Sequence, residues 1–141
     1  FIDEHNSCRS QIAEAIANSL NQPRFIFSSA GITPQPVEAR TIEFLKTKGY
    51  DISRVVPKSI LEIPNLDHYN VIVALSPEVR KAFPQKPRKT IFLDWSVKDP
   101  SKEEGNSAQV LAAYEEVYDF LKTNITDLVN AVINVNGKDT N

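Results

Sequence analysis

The run "NVIVALS" at residues 70–76 carries five apolar residues in a row with no polar alternation. A strand with one wet face alternates, so a run like this implies a strand covered on both faces, as in a parallel sheet. "KTIFLDW" at 89–95 reads the same way, and "RFIFSSAG" supplies a shorter apolar run from about Arg24 to Ser28. "FI" at the start reads as the last two residues of a further strand. Helical spacing fills the intervals. Residues 10–21 place Ile12, Ala13, Ile16, Ala17 and Leu20 on one face, and "TPQPVEARTIEFLKTKGY" has a proline near its start and Gly49 near its end. "PEVRKAF" predicts a short helix begun by Pro77. From about Ser107 to Ile133, Val110, Leu111, Tyr114, Val117, Tyr118, Leu121, Ile125, Leu128, Val129 and Val132 form one helical stripe. Short apolar strands alternating with amphipathic helices predict an α/β fold, a parallel sheet with helices on both faces.

A chain of 141 residues suits one domain, expected over residues 1–134, with "VNGKDTN" (135–141) as a polar tail that frays. There is no methionine, even at position 1, so the chain is read as cut ahead of Phe1. The net charge of −2 and pI near 5.7 give no reason to expect nucleic acid as a partner. No apolar run approaches the ~20 residues that span a bilayer, and no signal peptide is visible, so a cytoplasmic protein with no membrane partner is expected. The single cysteine, Cys8, excludes an internal disulfide and any relay of a disulfide between cysteines of this chain.

The chemistry concentrates in "DEHNSCRS", residues 3–10, between the first strand and the first helix. Ligands of parallel sheets bind beyond the carboxyl ends of the strands, which is where this loop falls. Such a loop aims backbone N–H groups at one point, and the helix dipole adds partial positive charge. Arg9 can grip two oxygens of a tetrahedral oxyanion with its planar fork. Asn6 suits a left-handed backbone or a bond across the loop, and Ser10 can donate its hydroxyl toward the loop's first position. An ordinary strand–turn–helix, with Arg9 paired to a surface carboxylate, is the plainer alternative.

"NSCRSQIAEA", "SSAG", "GYDIS" and "DWSVKDP", in this order and spacing, resemble the low-molecular-weight protein tyrosine phosphatases. They are still more similar to the thioredoxin-coupled arsenate reductases built on the same fold, as Gln11 after "CRS" suggests. The resemblance implies a three-layer fold with a four-stranded parallel sheet. It also implies a Cys-x5-Arg loop whose cysteine attacks phosphorus or arsenic. By that resemblance Arg9 is the oxyanion arginine, Asn6 the loop-ordering asparagine, Ser10 the hydroxyl beside the nucleophile, and Asp99, before Pro100, the general acid. Glu4, His5, Asn6, Ser7, Cys8 and Arg9 would form the oxyanion cradle. Phosphate, arsenate or a similar oxyanion, carried in one variant on a phosphorylated protein, is the partner implied. No cofactor and no metal are expected.

The chain departs from that pattern. Six residues before Arg9 stands Asp3, and Cys8 matches the family's second loop cysteine, not its nucleophile. Ser76 and "PEVRKAFPQKP" stand where the reductases carry relay cysteines. Lys58 falls about where potassium-binding reductases have an acidic residue, while Asn6, Glu14 and Ser29 still match that site. An aspartate ionises without help but is a far weaker nucleophile than a thiolate. Aimed into the nest, it should pair with Arg9 and the loop amides and repel a dianion. Two readings follow: a phosphatase-family enzyme with an altered nucleophile, or a non-catalytic oxyanion-sensing or interaction domain.

Other candidates weigh less. His5 either contacts a bound anion or faces solvent, and His68 reads as a surface residue. Trp95 either walls the pocket or packs. Asn124-Ile125-Thr126 matches a glycosylation acceptor inside a helix and is discounted.

Overall fold

The computed structural model of the protein describes residues 1–83 and 89–139. Four parallel strands, β1 (Ile2–Asp3), β2 (Ala30–Gly31), β3 (Val71–Ala74) and β4 (Ile91–Asp94), form one sheet in the order β2-β1-β3-β4. Four α-helices accompany them: α1 (Arg9–Ser19), α2 (Ala39–Thr47), α3 (Glu78–Ala82) and α4 (Ser107–Asp139). No described helix is long and apolar enough to cross a membrane.

Alternation along β3 divides the core into two layers. Val73 joins Ile12, Ile16, Leu45, Leu121, Ile125 and Val129, from α1, α2 and α4, on one face. Ile72 and Ala74 join Ile2 and Val79 of α3 on the other. Both faces are covered, as an apolar run without alternation demands. The expected α/β three-layer architecture is the one observed.

Three local readings change. The stretch from Arg24 to Ser28 is not a strand; pairing begins at Ala30, whose N–H donates to Phe1 O. The phenylalanines that made that stretch look like a strand instead stack on each other, Phe25 on Phe27 and Phe27 on Phe1, while Ile26 between them is exposed. The second helix starts at Ala39, after both prolines of "TPQP", and ends in a Schellman turn. There Gly49 (φ 90°) donates to Lys46 O and Tyr50 to Leu45 O. The last helix continues past Ile133 to Asp139, into the segment expected to fray. The expected helix after Pro77 forms as α3, and residues 84–88 of that segment lie outside the described residues.

Gly31 sits where the loop backbone leaves no room for a side chain. A Cβ there would lie 2.7 Å from both Asn6 N and His5 C, which are backbone atoms and cannot swing aside. Gly31→Ala should therefore push the 3–9 loop away from β2 and destabilise the protein by about 1–3 kcal/mol, read as a lower denaturation midpoint.

Candidate functional site

β1 ends at Asp3 and α1 begins at Arg9, so residues 4–8 must turn the chain from the sheet's carboxyl edge into a helix. The turn is made possible by Asn6, which adopts the left-handed conformation at φ 52°. Its side chain is fully buried and fully used. Nδ2 donates to Ser10 Oγ (2.7 Å) and Ser29 Oγ (3.0 Å), and Oδ1 accepts from the Lys58 backbone N–H (3.0 Å). Gln11 Nε2 donates to the Asn6 carbonyl (3.1 Å), and Ser29 Oγ donates onward to Glu14 Oε2 (2.6 Å). Lys58 thus enters the site through its main chain.

Asp3 is 2% exposed and lies inside this loop. Its Oδ1 accepts from the Asn6 N–H (2.7 Å) and its Oδ2 from the Ser10 N–H (2.9 Å). Cys8, at the N-cap of α1, makes no side-chain cap, so Asp3 caps the helix from six residues upstream of Arg9. Burial raises the Asp3 pKa above the usual carboxylate value; the Ser10 and Asn6 N–H groups, the Ser10 hydroxyl and the Arg9 charge oppose the rise without cancelling it. The native state therefore holds the Asp3 proton more tightly than the unfolded chain does. This contribution to stability is fully present below the ordinary carboxylate pKa and is lost as pH rises through the raised native value.

The expected pairing of Asp3 with Arg9 gives way to a different one. The Arg9 guanidinium, 6% exposed, faces the ends of β3 and β4: NH1 donates to Val97 O (3.0 Å) and Leu75 O (3.5 Å), and NH2 lies 3.8 Å from Asp99 Oδ2. Two carbonyls and the second carboxylate of the site hold the fork, leaving Arg9 only a longer-range effect on Asp3. Asp99 is positioned by its own turn, its Oδ1 accepting from the Ser101 N–H (3.0 Å) and hydroxyl (2.6 Å) ahead of Pro100.

Among the described residues, the N–H groups of His5, Ser7, Cys8 and Arg9 have no acceptor. Arg9 Nε and Ser76 Oγ are buried side-chain atoms that also lack a partner. These donors belong to the same loop and to the strand end beside it. Glu4 and His5 instead turn their side chains toward the rim. His5 Nε2 lies 3.4 Å from Glu4 Oε1, His5 Nδ1 meets Thr33 O (2.9 Å), and Lys102 Nζ is 4.0 Å from Glu4 Oε2. Among the described residues, no three His, Cys, Asp or Glu side chains converge as metal ligands would.

Cys8 points the other way, into the core. Its Sγ sits 3.9 Å from Tyr114 Oη, which in turn meets Thr41 Oγ1 (3.0 Å). Burial pushes the thiol pKa up to about 12. Nothing in the spacing of Thr41 and Tyr114 signalled this cluster. Leu75 and Val97 were equally silent, because they act through carbonyls that any residue carries.

A parallel sheet covered on both faces, with a strand–loop–helix turn, a buried arginine and a facing aspartate, defines the class of phosphatase-like α/β domains. The chain belongs to the low molecular weight phosphotyrosine protein phosphatase family, whose profile matches residues 1–138. It is 33% identical over 110 residues to the glutaredoxin arsenate reductase of Synechocystis sp., covering 78% of this chain and 81% of that protein. It is 27% identical to the arsenate reductase of Bacillus subtilis over 84% of this chain and 85% of the relative. Its structure is similar to that of an arsenate reductase in the phosphate binding state (TM-score 0.77, 28% identity, 93% and 95% of the two chains).

Two outcomes follow from this geometry. Asn6→Ala removes the acceptor for Lys58 N–H and places alanine in a left-handed conformation, so it should cost about 2–4 kcal/mol in a denaturant titration. Cys8 should resist a thiol reagent in the native protein at pH 8 and react stoichiometrically once guanidinium unfolds it; rapid native labelling would contradict the buried placement.

Proposed function

We propose that this domain has the oxyanion loop of its family but no thiol chemistry, and serves as an oxyanion-responsive or interaction domain with little or no phosphatase turnover. One observation carries the reading: the Asp3 carboxylate occupies the loop and accepts the Asn6 and Ser10 N–H groups. A dianion entering beside it meets a like charge. At ~4 Å that repulsion is roughly 1 kcal/mol in water and several times more where water is partly excluded. Both Asp3 oxygens already accept hydrogen bonds, which further weakens them as nucleophiles. Cys8 does not replace the missing thiolate, because its sulfur is buried against Tyr114 and its pKa is far above neutrality.

Oxyanion binding is supported by the unclaimed loop N–H groups, by Arg9 Nε, and by the likeness to a reductase solved in a phosphate binding state. Phosphate, arsenate or a phosphorylated protein are the partners this chemistry suits. The second reading, an enzyme working through Asp3, draws on one feature: Asp99 stays beside Arg9, where a general acid would be useful.

Hydrolysis of p-nitrophenyl phosphate separates the two. The unsubstituted chain should show no turnover above background. Asp3→Cys should raise the rate at least about 100-fold, and Arg9→Ala in that background should remove the gain. Turnover by the unsubstituted chain that survives Cys8→Ser and disappears in Arg9→Ala would establish the enzymatic reading instead.

A further inference from the structure

We propose that the loop takes up a tetrahedral oxyanion together with one proton, carried by the Asp3 carboxyl group, so that occupancy rises as the pH falls. The proposal rests on the oxyanion-loop reading above and adds how the site is regulated.

The bonding around Asp3 leads to it. Asp3 Oδ1 accepts from the Asn6 N–H and Oδ2 from the Ser10 N–H, with the Ser10 hydroxyl nearby. Ser10 Oγ itself accepts from Asn6 Nδ2. Both bonded neighbours are N–H donors. An ionised Asp3 is satisfied by these N–H groups, whereas a protonated Asp3 needs an acceptor that neither N–H can be. An oxyanion oxygen supplies that acceptor. Conversely, an oxyanion in the loop finds the N–H groups of His5, Ser7, Cys8 and Arg9 and the Arg9 Nε unclaimed among the described residues. Of the site's two carboxylates Asp99 is paired with Arg9, so the Asp3 charge is the one left to oppose it. Protonation removes that charge and turns one carboxyl oxygen into a donor, so each event favours the other, which is the condition for linkage.

The surrounding charges do not substitute for this proton. From α1, Arg9 is engaged by Asp99 and two carbonyls. Glu14 is held by Ser29, and Lys58 meets the site through its backbone. Cys8 keeps its thiol proton. Glu4 and His5 face each other at the rim, with Lys102 beyond. The amino group of Phe1 bonds Ser28 O at the far end of β1. Burial lowers the Phe1 amino group to about 6, so the test must observe Asp3 itself.

Sulfate is a suitable probe, because it stays a dianion across the range and any proton taken up belongs to the protein. Carboxyl carbon NMR of the aspartate-labelled protein, with the Asp3 signal assigned by its loss in Asp3→Asn, follows the Asp3 midpoint with and without sulfate. Sulfate should raise that midpoint by one pH unit or more. Calorimetric affinity should weaken up to about tenfold per pH unit through the same window. Asp3→Asn should bind sulfate without that slope, and Arg9→Ala should not bind it. Sulfate that binds while the Asp3 midpoint stays still or falls would overturn the proton linkage and leave the oxyanion loop standing. Binding by Asp3→Asn but by the unsubstituted chain at no pH would also overturn it, by making Asp3 a permanent block. Absence of binding by both at every pH would instead remove the oxyanion reading and the linkage with it.

Discussion

The bond pair from the Asp3 carboxylate to the Asn6 and Ser10 N–H groups is what the rest of the site is built around. It ties the end of β1 to the first turn of α1 across the loop. It also supplies the cap that Cys8 does not. Two opposing terms act on that carboxylate. Burial disfavours its charge, while three donors and the helix dipole favour it. Burial prevails, yet the geometry is that of a satisfied anion. Its pKa is thus raised in spite of these donors, a condition that an ordinary surface cap would not reach.

Each strand of the sheet secures a different part of this arrangement at its carboxyl end. β1 delivers Asp3 itself. β2 brings Gly31 so close to Asn6 and His5 that no side chain fits between, and Ser29 just before it bonds Asn6. Leu75, after β3, and Val97, after β4, present the carbonyls that hold Arg9. A parallel sheet collects these ends along one edge, which is why residues so far apart in the chain can converge on one loop. The site is therefore sensitive to packing well away from it, since a shift of β2 reaches Asp3 through Asn6.

The architecture was legible because its signals are periodic. Runs such as residues 71–75 and the stripe through Leu121 and Ile125 admit few alternatives, and the resemblance supplied the strand count. The errors have a common cause. Phe25 and Phe27 carry the composition of a strand but find aromatic partners on one side and leave Ile26 exposed, so tertiary stacking overrode β-propensity. Arg9 was expected to meet Asp3 because both lie on one loop. Distance along the chain is a poor guide to where a long fork reaches, and the carbonyls of Leu75 and Val97 leave no mark in the sequence. The cluster of Cys8, Thr41 and Tyr114 was hidden for the same reason: it forms between three helical regions that only the packed fold brings together.

The engagement of Arg9 decides what kind of site this can be. Had its fork closed on Asp3, the pair would have been neutral, mutually satisfied and costly to open, and the loop would be a structural clasp. Instead the arginine's charge is drawn toward Asp99 and two carbonyls, and Asp3 is balanced by neutral N–H donors. Neutral donors hold a carboxylate without fixing its protonation state as firmly as a direct ion pair would. The route by which negative charge can leave this loop is thus a proton rather than a rearranged salt bridge. Moving a proton leaves the backbone where it is, so the cradle of N–H groups keeps its shape while its charge changes.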